Sequence, residues 1–350
     1  MKPVLDVKHI ECQYRDHTVV HDVSLHVNEG NLLCLLGPSG CGKTTVLRAI
    51  AGFESVTKGE IHLREKLVSS ASHTLPPENR KIGMVFQDYA LFPHMNVYDN
   101  IAFGLRDMNP QEQRKRVEEI LGVVDLTRYG DRYVHELSGG QQQRIALARA
   151  LAPKPDLILM DEPFSNLDVE MREYLSQEVR RILKSQGATG ILVTHDQLEA
   201  FSFGDHISVM NKGEIVQHDT AYNLYHSPDS FFVADFIGQG VFLDGTLLAP
   251  EKVETPLGVI SGDRAYDWPR GTQVKLLIRP DDIVHDENGN LEAQVCNKAF
   301  KGAEILYTLK LPTGIDVLSL FPSHHNHEIG EHVKIRFAPD HMVAFKTDQA

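Results

Sequence analysis

The sequence lacks the long apolar segments that are typical of membrane proteins. Its 350 residues contain no apolar run near the roughly 18–20 residues that a membrane-spanning helix needs. The longest apolar runs, at 32–36 and 157–160, have the length of a strand. The first ten residues, MKPVLDVKHI, also lack the apolar core of a secretion signal, so we expect the protein to stay in the cytoplasm. Any work at a membrane would then require a separate membrane protein.

Paired cysteines and an excess of positive charge are also missing. The chain has four cysteines without paired spacing, which fits a reducing compartment and predicts neither disulfides nor a zinc framework: Cys12, Cys34, Cys41 and Cys296. The formal net charge is −13, which argues against nucleic acid as the main partner because phosphate backbones require a basic face. A bound nucleotide is still compatible with this charge, since a few local groups hold its phosphates.

The length predicts two domains, and the sequence pattern changes at about residue 240. Before that point, short runs that are apolar at nearly every position alternate with helical stretches, as expected for strands buried on both faces of a parallel sheet. One such helix is predicted at about 169–186, and a helical subdomain at about 88–150. We therefore predict an α/β domain over 1–238 with a mostly parallel sheet.

The C-terminal part has a different periodicity. After a linker predicted at 238–243, apolar residues alternate with period two between turns rich in Gly, Pro, Asn and Asp. This pattern is typical of short antiparallel strands. We predict a small all-β, barrel-like domain over 244–350.

A phosphate-binding loop is predicted at the end of the first buried strand. The segment GPSGCGKT at 37–44 fits the pattern G-x-x-x-x-G-K-[ST], between a strand and a helix. Its glycines allow backbone N–H groups to converge on phosphate oxygens, and the helix that begins at Lys43 adds its positive end. The Lys43 charge suits the β- and γ-phosphates, and the Thr44 hydroxyl suits Mg²⁺. A chance match is the alternative, which the flanking strand and helix disfavour. The predicted ATP-binding residues are Gly37, Pro38, Ser39, Gly40, Cys41, Gly42, Lys43, Thr44 and Thr45.

A second glycine-rich segment begins another predicted helix. In LSGGQ, Ser138 and Gln141 form a capping box, and a well-capped helix without any ligand is one interpretation. The successive Gly139 and Gly140 weigh against it, because the start of a helix needs such backbone freedom only when something approaches closely. An open helix N-terminus with a serine hydroxyl is a good partner for a γ-phosphate.

These motifs together resemble those of the ABC family of ATPases. LSGGQ is similar to the family signature, and the family's other motifs follow in order across residues 4–238. The matching residues are Tyr14, Gln87 in VFQDYALFP, Asp161 and Glu162 in LILMDE, Asp168 in SNLD, and His195 in LVTHD.

The resemblance implies a role for each matching residue. Tyr14 would stack on adenine, although an aromatic near a strand end often only packs. Asp161 and Gln87 would hold Mg²⁺, with Gln87 also reaching the attacking water. Glu162 would orient or deprotonate that water, and His195 would contact the γ-phosphate. Ser138–Gln141 would complete the nucleotide site of a second copy in a head-to-tail homodimer, and Asp168 would belong to the nucleotide-binding residues.

The resemblance also narrows the class of ABC protein. A single GKT, a single LSGGQ, no long coiled coil between them and no membrane helix point to the separate ATP-binding subunit of a bacterial importer. Such a subunit would lie at the cytoplasmic face of the inner membrane, bound to transmembrane permease subunits and served indirectly by a periplasmic solute-binding protein. Leu91, Phe92 and Met95 would contact the permease, or alternatively belong to the core of the helical subdomain.

The C-terminal domain resembles the regulatory extension of importers for maltose, polyamines, sulfate, molybdate and ferric ion, notably at RPDDI (279–283). Over its whole length the chain is most similar to ATP-binding subunits for ferric ion. Four histidines cluster near the C-terminus: His324, His325, His327 and His332. Because Fe³⁺ is a hard ion that prefers oxygen ligands, we expect this segment to be a solvated turn rather than an iron site.

Overall fold

The computed structural model describes residues 3–15, 17–339 and 341–349. Contacts within the chain divide it into two compact units, Met1–Ala221 and Tyr222–Ala350. The predicted linker overlaps a strand that begins at Val241, and the domain bounds from sequence remain a prediction. None of the helices in the described residues is both long enough and apolar enough to cross a membrane.

The first unit alternates strands and helices over most of its length. In chain order its elements are β1 (Pro3–Tyr14), β2 (His17–Asn28), β3 (Leu32–Leu36), α1 (Lys43–Ala51), β4 (Lys58–Leu63), β5 (Lys66–Ser70), β6 (His73–Thr74), β7 (Ile82–Val85), α2 (Val97–Ala102), α3 (Pro110–Val123), α4 (Gly139–Leu151), β8 (Leu157–Asp161), α5 (Val169–Ser185), β9 (Gly190–Thr194), α6 (Gln197–Phe203), β10 (His206–Asn211) and β11 (Glu214–Asp219). Helices α2, α3 and α4 occupy the region predicted as a helical subdomain.

A six-stranded sheet lies at the centre of this unit, with the strand order β11-β10-β3-β9-β8-β7. The pairs from β10 through β7 are parallel, and only β11 joins antiparallel to β10. Strands β3, β8 and β9 are buried at every residue, as expected for the interior of a parallel sheet that is covered on both faces. The predicted α/β class with a mostly parallel sheet is confirmed.

A second sheet in this unit is antiparallel, with the order β2-β1-β4-β5-β6. Its inward side chains share one hydrophobic cluster with β3 and α1, including Val7, Ile61, Leu35 and Val46. This sheet was not predicted from the sequence, although β1 carries a signal for it in its partly alternating apolar residues. The cluster fixes helix α1, and with it the loop that precedes the helix.

A buried arginine secures the other end of α1. Arg80 is only 1% exposed, and its Nη1 donates hydrogen bonds to the carbonyl oxygens of Ala49 (3.0 Å) and Ile50 (2.8 Å). Its Nη2 donates to Ser69 Oγ at 2.7 Å. Burial lowers the pKa of Arg80 to about 10, which leaves it charged at neutral pH. A cation at the C-terminal carbonyls stabilises the helix dipole, so Arg80 holds α1 in position from behind.

The second unit begins with two short helices and continues as strands. Its elements are α7 (Ala221–His226), α8 (Phe231–Phe236), β12 (Val241–Ala249), β13 (Lys252–Thr255), β14 (Gly258–Ser261), β15 (Gln273–Ile278), β16 (Ile283–His285), β17 (Leu291–Phe300), β18 (Glu304–Lys310), β19 (Asp316–Pro322), β20 (His332–Phe337) and β21 (Val343–Lys346). They form two antiparallel sheets, β14-β13-β12-β15-β21 and β16-β20-β17-β18-β19, around one hydrophobic core. The predicted all-β, barrel-like architecture is confirmed.

Candidate functional site

The predicted site residues follow the carboxyl ends of neighbouring strands. Strand β9 lies between β3 and β8, and all three run parallel. The phosphate loop follows β3, Asp161 ends β8 with Glu162 directly after it, and His195 follows β9. Because ligands of open α/β sheets bind outside the carboxyl ends of the strands, the topology places these groups at one binding edge.

The backbone of the phosphate loop requires glycine at several positions, including Gly40, whose φ of 81° is left-handed. Gly42, the N-cap of α1, has a φ of 106°, a left-handed conformation that other residues rarely adopt. Gly37 is buried, and a Cβ there would lie 2.3 Å from the carbonyl oxygen of Met210. At the loop tip, Ser39 and Gly40 are exposed. The loop is therefore anchored at both ends and open at its tip.

The Lys43 side chain lies inside this loop and is 4% exposed. Its Nζ donates hydrogen bonds to the carbonyl oxygens of Gly37 (2.7 Å) and Pro38 (2.9 Å). The buried Cys41 Sγ lies 3.8 Å from the same nitrogen. The loop thus holds a positive charge beneath the surface where backbone N–H groups can meet an anion.

Two hard oxygen groups meet beside the loop. Thr44 Oγ1 donates a hydrogen bond to Asp161 Oδ1 at 3.0 Å, which joins the start of α1 to the end of β8. Asp161 is 8% exposed, and burial raises the pKa of its carboxyl although the Thr44 hydrogen bond opposes the shift. The protein alone therefore compensates this negative charge incompletely, and the pair offers suitable ligands for a hard cation such as Mg²⁺.

Replacing Asp161 by Asn is expected to raise the thermal unfolding midpoint of the nucleotide-free chain without Mg²⁺. The folded-state pKa lies above the unfolded value, so the ionised carboxylate opposes folding at neutral pH, and Asn removes that cost while still accepting from Thr44. As the pH falls through the raised pKa, the wild-type carboxyl becomes protonated and the difference between variant and wild type shrinks. Differential scanning calorimetry at several pH values measures both effects.

The matched control for this prediction is Asp168→Asn, because Asp168 is exposed and caps α5 by accepting from Met171 N at 3.0 Å. Asn is an equally good N-cap, so this variant should unfold at the wild-type temperature. An unchanged or lower midpoint for Asp161→Asn would contradict the prediction.

Glu162 combines an unusual backbone with a histidine contact. Its φ of 43° is left-handed, although it is not a glycine. The conformation is held on both sides, since Glu162 N donates to the Val193 carbonyl at 3.0 Å and Ser165 Oγ donates to the Glu162 carbonyl at 3.0 Å. The carboxylate Oε2 lies 3.3 Å from Nδ1 of His195. Such strain costs about 1–3 kcal/mol and concentrates at active sites.

The turn that carries Gln87 is tied to two other parts of the site. Gln87 follows β7 and is exposed, and its carbonyl oxygen accepts from Asn166 Nδ2 at 2.9 Å. Arg149 of α4 donates from Nη1 to the Ala90 carbonyl (2.6 Å) and from Nη2 to the Tyr89 carbonyl (2.9 Å). Arg149 was not predicted from the sequence, because its role depends on a contact between distant segments. Helix α4, which Ser138 caps, therefore holds the turn after Gln87 in place.

The Ser138–Gln141 segment forms the predicted capping box. Gln141 N donates to Ser138 Oγ at 3.4 Å, and Ser138 N donates to Gln141 Oε1 at 3.0 Å. A Cβ on Gly139 would lie 3.0 Å from Leu167 Cδ2, so close packing within the chain accounts for part of the glycine requirement. Ser138 and Gly139 are exposed, and the start of α4 is available to a ligand or another molecule.

Tyr14 lies at the end of β1 with 41% of its surface exposed. Partial burial and a hydrogen bond to Glu54 raise the pKa of its hydroxyl, while a hydrogen bond to Thr45 lowers it. Tyr14 is thus next to the phosphate loop and partly exposed. Among the other predicted residues, the structure brings together Thr44 with Asp161, and Glu162 with His195.

Comparison with known families gives two matches along the chain. The ABC transporter family matches residues 20–165, which contain both glycine-rich segments. The TOBE domain matches residues 276–345, inside the second unit.

Three curated relatives are similar over most of the chain. The Fe(3+) ions import ATP-binding protein FbpC 2 of Haemophilus influenzae is 43% identical over 284 residues, 80% of this chain and 79% of the relative. The spermidine/putrescine import ATP-binding protein PotA of Bacteroides thetaiotaomicron is 40% identical over 353 residues, 99% of this chain and 74% of the relative. FbpC of Vibrio cholerae is 39% identical and covers 95% of both chains.

Two solved structures are similar to part of the chain. The ATP-binding cassette MJ0796, a dimer in a post-hydrolysis state with ADP and Pi, is 32% identical with a TM-score of 0.54, covering 62% of this chain and 98% of its own. The cbiO1 protein of Clostridium perfringens, part of the transporter complex cbiONQ, is 28% identical with a TM-score of 0.58, covering 63% and 89%.

Proposed function

Because this chain belongs to the ABC transporter family of import ATP-binding proteins, we propose that it binds and hydrolyses ATP to drive an importer whose membrane subunits are separate chains. The observation that carries this proposal is the edge formed by β3, β9 and β8. There Thr44 meets Asp161 at 3.0 Å and Glu162 meets His195 at 3.3 Å, beside a loop built for phosphate.

The nucleotide would bind along this edge. The N–H groups of the phosphate loop and Lys43 would hold the phosphates, and the partly exposed Tyr14 would stack on the adenine. Thr44, Asp161 and Gln87 supply oxygen ligands for Mg²⁺, which would neutralise phosphate charge when bound. Glu162 would accept a proton from the attacking water, with His195 at the γ-phosphate.

A second copy of the chain is the proposed partner at the exposed start of α4. The serine hydroxyl and open helix N-terminus at Ser138 are suited to a γ-phosphate held by the facing copy. The similar MJ0796 cassette is itself a dimer in its solved structure, which supports a paired arrangement. The proposed assembly is a head-to-tail homodimer with two ATP molecules at its interface.

The segment at 91–95 is the proposed contact with the permease, at the cytoplasmic face of the inner membrane. Leu91, Phe92 and Met95 are half-buried, so part of each side chain packs within the chain and part is accessible to another protein. The buried Asn100 fixes the segment by accepting from Phe92 N at 2.9 Å and donating to the Phe92 carbonyl at 3.1 Å. Arg149 joins α4 to the preceding turn, so the nucleotide site and this contact share one rigid support.

Ferric ion is the proposed cargo, and a polyamine is the second candidate. Two relatives named as Fe(3+) import proteins are 43% and 39% identical to this chain. The relative named for spermidine and putrescine is 40% identical over nearly the whole chain. The ATP-binding subunit itself would not contact the cargo. The proposal of ferric ion is therefore supported by the sequence identity to these relatives.

An uptake assay in a strain that lacks this chain tests the proposed function. We expect the wild-type gene to restore uptake of radiolabelled Fe³⁺ and to leave spermidine uptake unchanged. A Glu162→Gln copy controls for ATP hydrolysis and should restore neither. Restored spermidine uptake would show instead that the chain serves polyamine import. If uptake of no solute were restored, an import role would be rejected.

A further inference from the structure

Three histidines converge in the second unit. His285 ends β16, and His325 and His327 lie in the segment between β19 and β20. The His285 ring centroid lies 4.6 Å from that of His325 and 5.1 Å from that of His327. One ring nitrogen from each side chain can be chosen so that all three lie within 4.8 Å of one another. The segment that carries His325 and His327, which we expected to be a solvated turn, therefore lies against a histidine of a distant strand.

The His327 ring has a proton arrangement that suits metal binding. Its Nδ1 lies 2.8 Å from Glu331 Oε1, so the carboxylate accepts a hydrogen bond from the protonated Nδ1. Its Nε2 is buried and has no hydrogen-bond partner among the described residues. A buried nitrogen lone pair without a partner is unfavourable unless something binds it. Histidines that bind metals commonly donate their other N–H to a carboxylate in this way.

A buried tyrosine fixes the backbone that carries two of these histidines. The hydroxyl of Tyr307, a fully buried residue of β18, donates to the His325 carbonyl at 2.9 Å and accepts from His327 N at 3.0 Å. Lys298 Nζ also donates to the His327 carbonyl at 2.9 Å. The segment is therefore held in place before any ligand arrives, which lowers the entropic cost of binding.

We propose that His285, His325 and His327 form a binding site for a divalent first-row transition ion of the Zn²⁺ type, with Glu331 orienting His327. Imidazole nitrogen is a preferred ligand for such ions, and three protein nitrogens with a water complete four-coordination. In tetrahedral Zn²⁺ coordination, the ligand nitrogens lie about 3.3 Å from one another. The three histidine nitrogens already lie within 4.8 Å of one another, and small rotations of the half-buried side chains would bring them to this spacing. The ligand set disfavours Fe³⁺, so the site is distinct from the proposed cargo.

Calorimetric titration of the full-length chain, without an affinity tag or nucleotide, tests the site with ZnCl₂. We expect one tight equivalent per chain, whose affinity falls by roughly 100-fold or more in His285→Ala and in His325→Ala. Glu331→Gln should weaken binding by about 10–100-fold, because it removes the carboxylate that orients His327. Co²⁺ substitution should give a visible absorption band in wild type that these variants lose. Circular dichroism checks that each variant is folded.

Two matched controls separate this site from other histidines. His332 lies 3.2 Å from Glu292 and belongs to the same segment of sequence, so His332→Ala should bind Zn²⁺ like wild type. His206 stacks on His218 at 5.4 Å in the first unit, and His206→Ala should also bind normally. Weak or absent binding by wild type would overturn the proposal. Equal binding by His285→Ala and His325→Ala, or equal loss in the control variants, would do so as well.

Discussion

Replacing Glu162 by Gln is expected to reduce the rate of ATP hydrolysis by about 10²–10⁴-fold, because a positioned general base contributes that much and an amide cannot accept the proton. ATP affinity should stay near the wild-type value. Gln has almost the same shape as Glu, it can still accept from His195 Nδ1, and the phosphate loop is unchanged. Phosphate release at saturating ATP and a separate nucleotide titration measure the two quantities.

The Glu162→Gln variant should also accumulate an ATP-bound homodimer, since binding would persist without turnover. Light scattering after gel filtration detects the dimer, and adding Ser138→Arg to the same chain should prevent it by placing a bulky cation at the proposed interface. Glu173→Gln is the matched control, because Glu173 is exposed on α5 and its loss should leave the rate unchanged. A normal hydrolysis rate in Glu162→Gln would show that another group is the base.

The sequence was sufficient to predict the phosphate loop and the class of fold, because both depend on short-range patterns. Strands β3, β8 and β9 appear as uninterrupted apolar runs, and the loop between β3 and α1 has a recognisable glycine spacing. The helix predicted at 169–186 is α5, which ends at Ser185. The large apolar side chains of this helix are only partly buried, since Tyr174 is 58% exposed while Leu175 and Val179 lie in the core.

The distances within the candidate site could not be predicted in the same way. Thr44 meets Asp161 because β3 and β8 lie in the same sheet, on either side of β9, and strand order is set by packing over the whole unit. The left-handed backbone of Glu162 has no marker in the sequence, where glycine or asparagine would be the usual sign. The motifs therefore predicted which residues belong to the site, whereas the distances between them follow from the tertiary structure.

Contacts between distant segments were the part that sequence analysis missed. Arg149 reaches the turn at Tyr89 and Ala90 across many intervening residues, and an arginine inside a helix gives no sign of its partner. His285 was omitted from the histidine cluster for the same reason, since only the packing of β16 beside β20 brings it near His325. Both contacts join separate segments, and pattern analysis within one segment cannot detect them.

Replacing Lys43 by Ala is expected to weaken ATP binding by roughly 10–100-fold, the value of a charge-assisted hydrogen bond. Hydrolysis at saturating ATP should fall by about 10²–10³-fold, because a fixed positive charge at the reacting phosphate stabilises the transition state. The substitution has a second cost, since the carbonyl oxygens of Gly37 and Pro38 lose the ammonium group that joins them. Equilibrium nucleotide binding and steady-state phosphate release measure the two effects.

Lys43→Met separates the charge from the space that the side chain fills. Lys43 is almost fully buried, so Ala leaves a cavity in the loop, whereas Met fills similar volume without a charge. If the charge is responsible, both variants should bind ATP equally weakly. Both also lose the hydrogen bonds to the Gly37 and Pro38 carbonyl oxygens, so Ala should lower the unfolding temperature further than Met only by the cost of its cavity. Lys115→Ala, at an exposed position on α3, should match wild type in both assays. ATP affinity within twofold of wild type in Lys43→Met would mean that the loop binds phosphate through its backbone N–H groups alone.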